Sequence, residues 1–343
     1  MELSRRKEDI LATIIRSYIR SGEPVGSKAL CEELRSVSSA TIRNEMSELC
    51  ELGYLDQPHT SAGRIPTDRA FRLYIDRLMT LRSLTDKEKN ALDTLLPVDN
   101  DCDERSLRWA LKSLADATHC VALLTSEATG ILVHKVELIP MGQYTALLVL
   151  VTTTGSVQSR MLRFASPLTD ALITRFINVV EKGLIGTEIS AVQPAILQTL
   201  VAGSGEYALE LTPLLSALTE LISETGESKL ELAGQSNLLM YGEFSPVRVR
   251  EILEMFSRNE MLSLLDMWNR DSGVILGSDT AYRALDTSSI IVSRYKTDAR
   301  SGYIGVIGPL RMDYDIMIPS INYLAGALCM QPGKKDLTKG LTI

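Results

Sequence analysis

The chain has 343 residues, 45% of them hydrophobic, and a formal net charge of −7. This length supports two or three domains with real cores, and the longest apolar run, Ala146 to Val151, is far too short to span a bilayer. The acidic balance argues against a protein that coats nucleic acid non-specifically, because such binding is led by charge.

The N-terminus MELSRRKEDI is charged and leads into an amphipathic stretch, so no secretory signal is expected. Ile10, Leu11, Ile14, Ile15, Tyr18 and Ile19 recur at helical spacing and predict a first helix stopped by Gly22. Pro24-Val25-Gly26-Ser27 turns the chain. Ser27 is placed to cap a short second helix through Ala29, Leu30 and Leu34. A tight connection over Arg35 to Val37 leads into a third helix.

That third helix carries the most specific chemistry in the chain. Ser38 and Ser39 stand where an N-cap is wanted, and Ile42, Met46, Leu49 and Leu52 form one apolar stripe before Gly53. Ala40, Arg43, Asn44 and Ser47 fall on the opposite face. Small residues permit close approach to a groove, and Arg and Asn pair bidentately with guanine and adenine edges. Two helices, a short turn and such a third helix within about fifty residues give the helix-turn-helix order.

Tyr54-Leu55 begins a strand, His59-Thr60-Ser61-Ala62-Gly63 forms a hairpin tip, and Arg64-Ile65 starts the return. Together these predict a wing, with Arg64 set to meet phosphate or the minor groove. Pro66 and Thr67 end it and open a helix with Phe71, Tyr74, Ile75 and Leu78 on its buried side. The candidate DNA contacts are therefore Ser38 at the helix start, Ser39, Thr41, Arg43, Asn44 and Ser47 at or near base edges, and Ser27, His59 and Arg64 at phosphate or wing. Residues 1–80 hold 12 Lys+Arg and 12 Asp+Glu, net 0, so the whole excess of −7 lies beyond them. Arg5, Arg6 and Lys7 form a basic cluster at the start of the first helix.

Further along, Ser83 to Leu96 reads as a short polar helix capped by Thr85, and Pro97 to Glu104 as an acidic linker. Arg105 to Thr118 is helical. Val121–Leu124, Ile131–Ile139, Thr145–Thr154 and Gly155–Leu162 read as strands of an antiparallel sheet. Residues 167–232 turn helical and rich in Leu and Ala, and a helical stretch runs from Glu243 to Trp268. Strands return at Gly273–Leu276, Ser288–Tyr295 and Gly302–Ile307, before a final helix over Ile318–Cys329. Strands on both sides of a helical block fit an α/β domain interrupted by an insertion.

Three other chemistries fit poorly. Gly302, Gly305 and Gly308 spell GxxGxxG, but they lie in a strand pattern ending at Pro309 rather than before a helix, so they read as sheet positions and not as a phosphate cradle. The three histidines, His59, His119 and His134, come with no nucleophile elbow, HExxH or paired-Cys signature, and no enzyme is expected. The five cysteines are scattered without a CxxC pair. Reduced thiols in a cytoplasmic protein are the default, and Cys31, Cys50 and His59 match no zinc spacing.

PVGSKAL, SSATIRNEM, LGYLDQPHTSAGRIPT and RLYID closely resemble the heat-inducible transcription repressor HrcA family, and IGVIGPLRMDY is similar to its closing motif. Cys50 and Leu310 depart from the pattern, where an acidic and a small hydroxyl residue are usual. The resemblance implies an α+β multidomain protein: a winged helix-turn-helix over 1–80, a helical linker over 81–104, a discontinuous GAF-like α/β domain over 105–166 and 244–333, and an inserted, mainly helical dimerisation domain over 167–243. It implies a homodimeric repressor on an inverted-repeat operator upstream of chaperone operons, kept active by the chaperonin. No cofactor, metal or membrane partner is expected. A small-ligand-gated regulator sensing through the α/β domain, and a chaperone-associated scaffold, are the alternatives.

Overall fold

A computed structural model describes residues 3–34, 37–59, 63–96, 104–128, 130–192, 194–203, 205–226, 228–296 and 300–329. The expected turn at 35–36, wing tip at 60–62, linker at 97–103 and last residues of the α/β domain at 330–333 lie outside the described residues. By its contacts the chain divides into two compact units. One comprises Met1–Leu124, Leu230–Tyr295 and Tyr303–Ile343, the other Thr125–Lys229 and Lys296–Gly302.

The first unit opens with α1 (Arg5–Ser21), α2 (Ser27–Glu33), α3 (Ser39–Glu51), β1 (Leu55–Asp56), β2 (Ile65–Pro66) and α4 (Asp68–Leu73). The predicted stripe of α1 is buried: Ile10, Leu11, Ile14 and Ile15 are each at most 1% exposed and pack with Leu30, Ile42, Leu49 and Phe71. Ser4 caps α1, and Gly22, at φ 70, ends it with its N–H on the Tyr18 carbonyl at 2.8 Å. Then come α5 (Asp86–Asp93) and α6 (Glu104–Thr118). Thr85 and Glu88 form a reciprocal capping box on α5, and the Arg82 guanidinium beside Glu88 holds that carboxyl far below its usual range.

β3 (Val121–Ala128) enters a five-stranded sheet. The chain next builds β4 (Val133–Gly142), β5 (Thr145–Thr152), β6 (Val157–Arg163), α7 (Asp170–Gly183), α8 (Pro194–Ala202) and α9 (Ala208–Gly226). It then returns through β7 (Lys229–Ala233), α10 (Pro246–Ser257), α11 (Glu260–Trp268), β8 (Ser272–Leu276), β9 (Ser288–Lys296), β10 (Arg300–Pro309) and α12 (Tyr314–Cys329). The strand order is β7-β3-β10-β9-β8. Side chains alternate between two cores, as a strand's period of two requires. Ala122, Leu124, Val274, Leu276, Ile291, Ile304 and Val306 join the core of α6, α12 and the N-terminal helices. Val121, Leu123, Ile275, Ile290, Val292 and Ile307 join that of α10 and α11.

The glycines of β10 belong to this close packing. A Cβ at Gly305 would lie 2.2 Å from the Ile291 carbonyl oxygen, and one at Gly302 2.0 Å from that of Thr125. They admit neighbouring backbone, which accounts for GxxGxxG without an anion.

In the second unit β4, β5 and β6 form an antiparallel sheet in that order. One face, with Val136, Leu138, Ala146, Leu148 and Leu150, packs on Phe176 and Val180 of α7 and Leu211, Leu214, Leu215 and Leu218 of α9. Arg160 of β6 clasps α9 through Glu220, at 2.8 Å, and Glu224. The other face aligns Ile139, Leu147 and Met161 in one row, Glu137, Val149 and Ser159 in the next, and Lys135, Val151 and Val157 in a third. Val157 is 60% and Met161 52% exposed.

The expected insert of 167–243 differs from this division at both ends. Its sheet, β4 to β6, precedes 167 because those strands bury their apolar face on α7 and α9. The unit combines a three-stranded sheet with helices. Residues 230–243 belong instead to the first unit, where β7 pairs into the large sheet. The single helix expected over 243–268 breaks at Asn259, which adopts the left-handed conformation, φ 57, that Asn tolerates. The last helix starts at Tyr314, earlier than expected, and contains Pro319. Tyr314 at its start is completely buried, and its hydroxyl donates to the Leu310 carbonyl at 2.6 Å.

Candidate nucleic-acid interface

Local hydrogen bonds set α3 in place. Ser38 is its N-cap and accepts from the Thr41 N–H at 3.2 Å, with the two hydroxyls 2.9 Å apart. Ser39 is the first helical residue, and its hydroxyl donates to that of Ser27 at 3.5 Å. Ser27 is itself the first residue of α2; Gly26 takes the cap position, so the expected capping role for Ser27 is not found. Gly53, at φ 75, ends α3: its N–H bonds the Cys50 carbonyl and the Tyr54 N–H that of Leu49, both at 2.9 Å. This is the crossed pattern of a left-handed helix stop.

These bonds divide the nine candidate residues. Ser27 and Ser39 link α2 to α3, whereas Ser38 and Thr41 pair with each other at the start of α3. Arg43, Asn44 and Ser47 are exposed with Ala40 on the far face, while Ile42, Met46 and Leu49 are buried. The Ser47 hydroxyl donates to the Arg43 carbonyl at 3.1 Å. No described residue engages the Arg43 or Asn44 side chain, so both are free to meet base edges.

The wing is tied to the turn before α2. Val25 and Arg64 exchange two backbone hydrogen bonds of 2.9 Å, beside the β1–β2 pair Leu55↔Pro66 and Asp56↔Ile65. A Cβ on Gly63 would stand 2.5 Å from the Val25 carbonyl, so only glycine lets the wing lie this close. Arg64 is thereby fixed at its backbone, and His59 is exposed where the described part of the wing begins to turn. Arg69 Nη1 donates to the Leu52 carbonyl at 2.8 Å, with its guanidinium 4.5 Å from the Tyr54 ring centre. Nothing in the sequence pattern marks Arg69 for this role, whereas Thr67, which caps α4, was legible as a polar residue before an apolar stripe.

Two members of the basic cluster face carboxylates of α3. Lys7 Nζ lies 3.0 Å from Glu45 and 2.8 Å from Glu48 of α3, and Arg6 3.9 Å from Glu45. Elsewhere, burial pushes the Cys120 thiol up to about 11, which leaves it protonated and inert near neutral pH. The apolar cavity between α6, α12 and the sheet, lined by Leu107, Leu111, Leu124, Ile304, Leu324 and Leu328, measures about 10 Å³, room for roughly one water. Among the described residues no helix is long and apolar enough to cross a membrane.

A capped helix-turn-helix whose third helix offers an unengaged Arg–Asn face, with a hydrogen-bonded wing beside it, defines a winged-helix DNA-binding regulator. Residues 2–77 match the family model for the winged helix-turn-helix transcription repressor, HrcA DNA-binding, and residues 104–318 that for the HrcA protein C terminal domain. The chain is 36% identical to the heat-inducible transcription repressor HrcA of Thermobifida fusca, over 91% of this chain and 92% of the relative. It is 32% identical to the HrcA of Acetivibrio thermocellus, over 94% and 95%. A crystal structure of a hypothetical protein at 2.2 Å resolution shares the fold, with a TM-score of 0.58 and 24% identity over 95% of this chain and 98% of that one. The chain belongs to the HrcA family of heat-inducible transcription repressors.

Proposed function

We propose that two copies of this chain bind an inverted-repeat operator of chaperone operons in the cytoplasm and block transcription there. The observation that carries the reading is the exposed Arg43–Asn44–Ser47 face of α3. Arg43 and Asn44 are the base-reading side chains, Ser47 and Thr41 stand beside them, and Arg64 and His59 serve the wing. Ser27 and Ser39 act first as the clasp between α2 and α3, and Ser38 as the cap of α3. Two-fold symmetry in the protein then matches two-fold symmetry in the operator.

The open face of the β4–β6 sheet supports a homodimer. A largely apolar row of side chains on a sheet face that no described helix of its own unit covers is what an isologous contact buries. Val149 sits at the middle of that face, between Glu137 and Ser159. Val149→Glu should convert a dimer to a monomer in sedimentation equilibrium and weaken operator binding. A variant that stays dimeric would place the contact elsewhere.

Dependence on a chaperonin rests on the family resemblance alone. Protein heated and cooled should regain operator binding to a greater yield with chaperonin and ATP than without. Equal yields would remove that part of the proposal.

A further inference from the structure

α3 carries Glu45, Glu48 and Glu51 against a single cation, Arg43, a net charge of −2 over Ser39–Glu51. A helix with that balance is repelled by the phosphates on either side of a groove. At 100° per residue, Glu48 is rotated only about 40° from Asn44 around the helix axis, so it borders the reading face. Lys7 answers this. Its ammonium lies between Glu45, at 3.0 Å, and Glu48, at 2.8 Å, and Arg6 adds a weaker contact to Glu45 at 3.9 Å. Lys7 and Glu45 are largely covered, with side chains 18% and 14% exposed, whereas Glu48 remains 56% exposed.

We propose that Lys7 is a positioning residue for operator reading: it forks two carboxylates of α3, fixes the helix against α1 and screens their charge from the DNA, without touching phosphate itself. The inference rests on α3 being the groove-reading helix. Lys7 belongs to α1 and both carboxylates to α3, so one cation both sets the rotation of α3 and brings its local charge nearer to neutral. Pairing with Glu48, then Glu45, also raises the Lys7 pKa, which favours the ammonium form.

A double-mutant cycle tests this on the full chain with a fluorescently labelled inverted-repeat operator. Lys7→Met should weaken operator binding by about fivefold or more in the native background. In a Glu45→Gln/Glu48→Gln background the same substitution should change binding less than about twofold, because there is no charge left to mask. Lys7→Arg, which keeps the cation, should bind nearly as the native protein does, and circular dichroism confirms that each variant is folded. Equal loss in both backgrounds would show Lys7 contacting phosphate directly and overturn the proposal, as would no loss in either. Failure of the folded native protein to bind operator would instead remove the groove-reading assignment of α3.

Discussion

Arg43→Ala and Asn44→Ala should each weaken operator binding by about 1–3 kcal/mol, the usual worth of a bidentate side-chain contact with a base edge. Both side chains are exposed on α3 and neither is engaged by a described residue, so truncation leaves the fold and its melting temperature nearly unchanged. The loss should be concentrated on operator DNA, with non-specific binding falling less, and Asn44→Ala should relax preference at one base pair per half-site. Ser38→Ala is the contrasting variant. It removes the cap that accepts from Thr41 and so costs about 1 kcal/mol of stability instead. Uniform weakening on every DNA sequence in Arg43→Ala would make that residue a phosphate contact.

Phe71→Ala should cost about 3–5 kcal/mol, the range for emptying a buried aromatic site. Phe71 is 1% exposed, with its ring centre 6.4 Å from that of Tyr18 and 6.3 Å from that of Tyr314. Around it Arg72 pairs with Asp279 and donates to the Val274 carbonyl at 3.4 Å, and the Tyr74 hydroxyl donates to Asp315 at 3.4 Å. Burial pushes Tyr74 up to about 12, so it remains a neutral donor at any ordinary pH. The winged helix and the core of α6 and α12 thus share one hydrophobic cluster. Urea denaturation of Phe71→Ala should show a lowered midpoint for that whole unit. A separate early transition for the winged helix, with the remainder unchanged, would mean that the shared core does not couple them.

Most of the DNA-binding region was legible in the sequence because its signals are local. Ser38 before an apolar stripe, Gly22 and Gly53 after one, and Thr67 before Phe71 each act within a turn of helix. The exposed face of Arg43, Asn44 and Ser47 follows from helical spacing alone. What stayed hidden depends on contacts between distant segments. Lys7 and Glu45 are brought together only by the packing of α1 on α3, so Arg5, Arg6 and Lys7 read as a loose basic cluster. β7, with only five residues, was absorbed into the helical character around it. The β4–β6 strands are legible from their alternation, but that alternation does not say that α7 and α9 cover them. Asn259 gave no stronger signal than any other polar residue inside a helical stretch.

Footprinting of a chaperone-operon inverted repeat tests the central claim most directly. The native protein should protect both half-sites symmetrically, with guanine N7 in the major groove shielded from methylation, and Arg43→Ala with Asn44→Ala should lose that shielding while still folded. Absence of protection by the native protein, or protection unchanged in the double variant, would contradict α3 as the element that reads the operator.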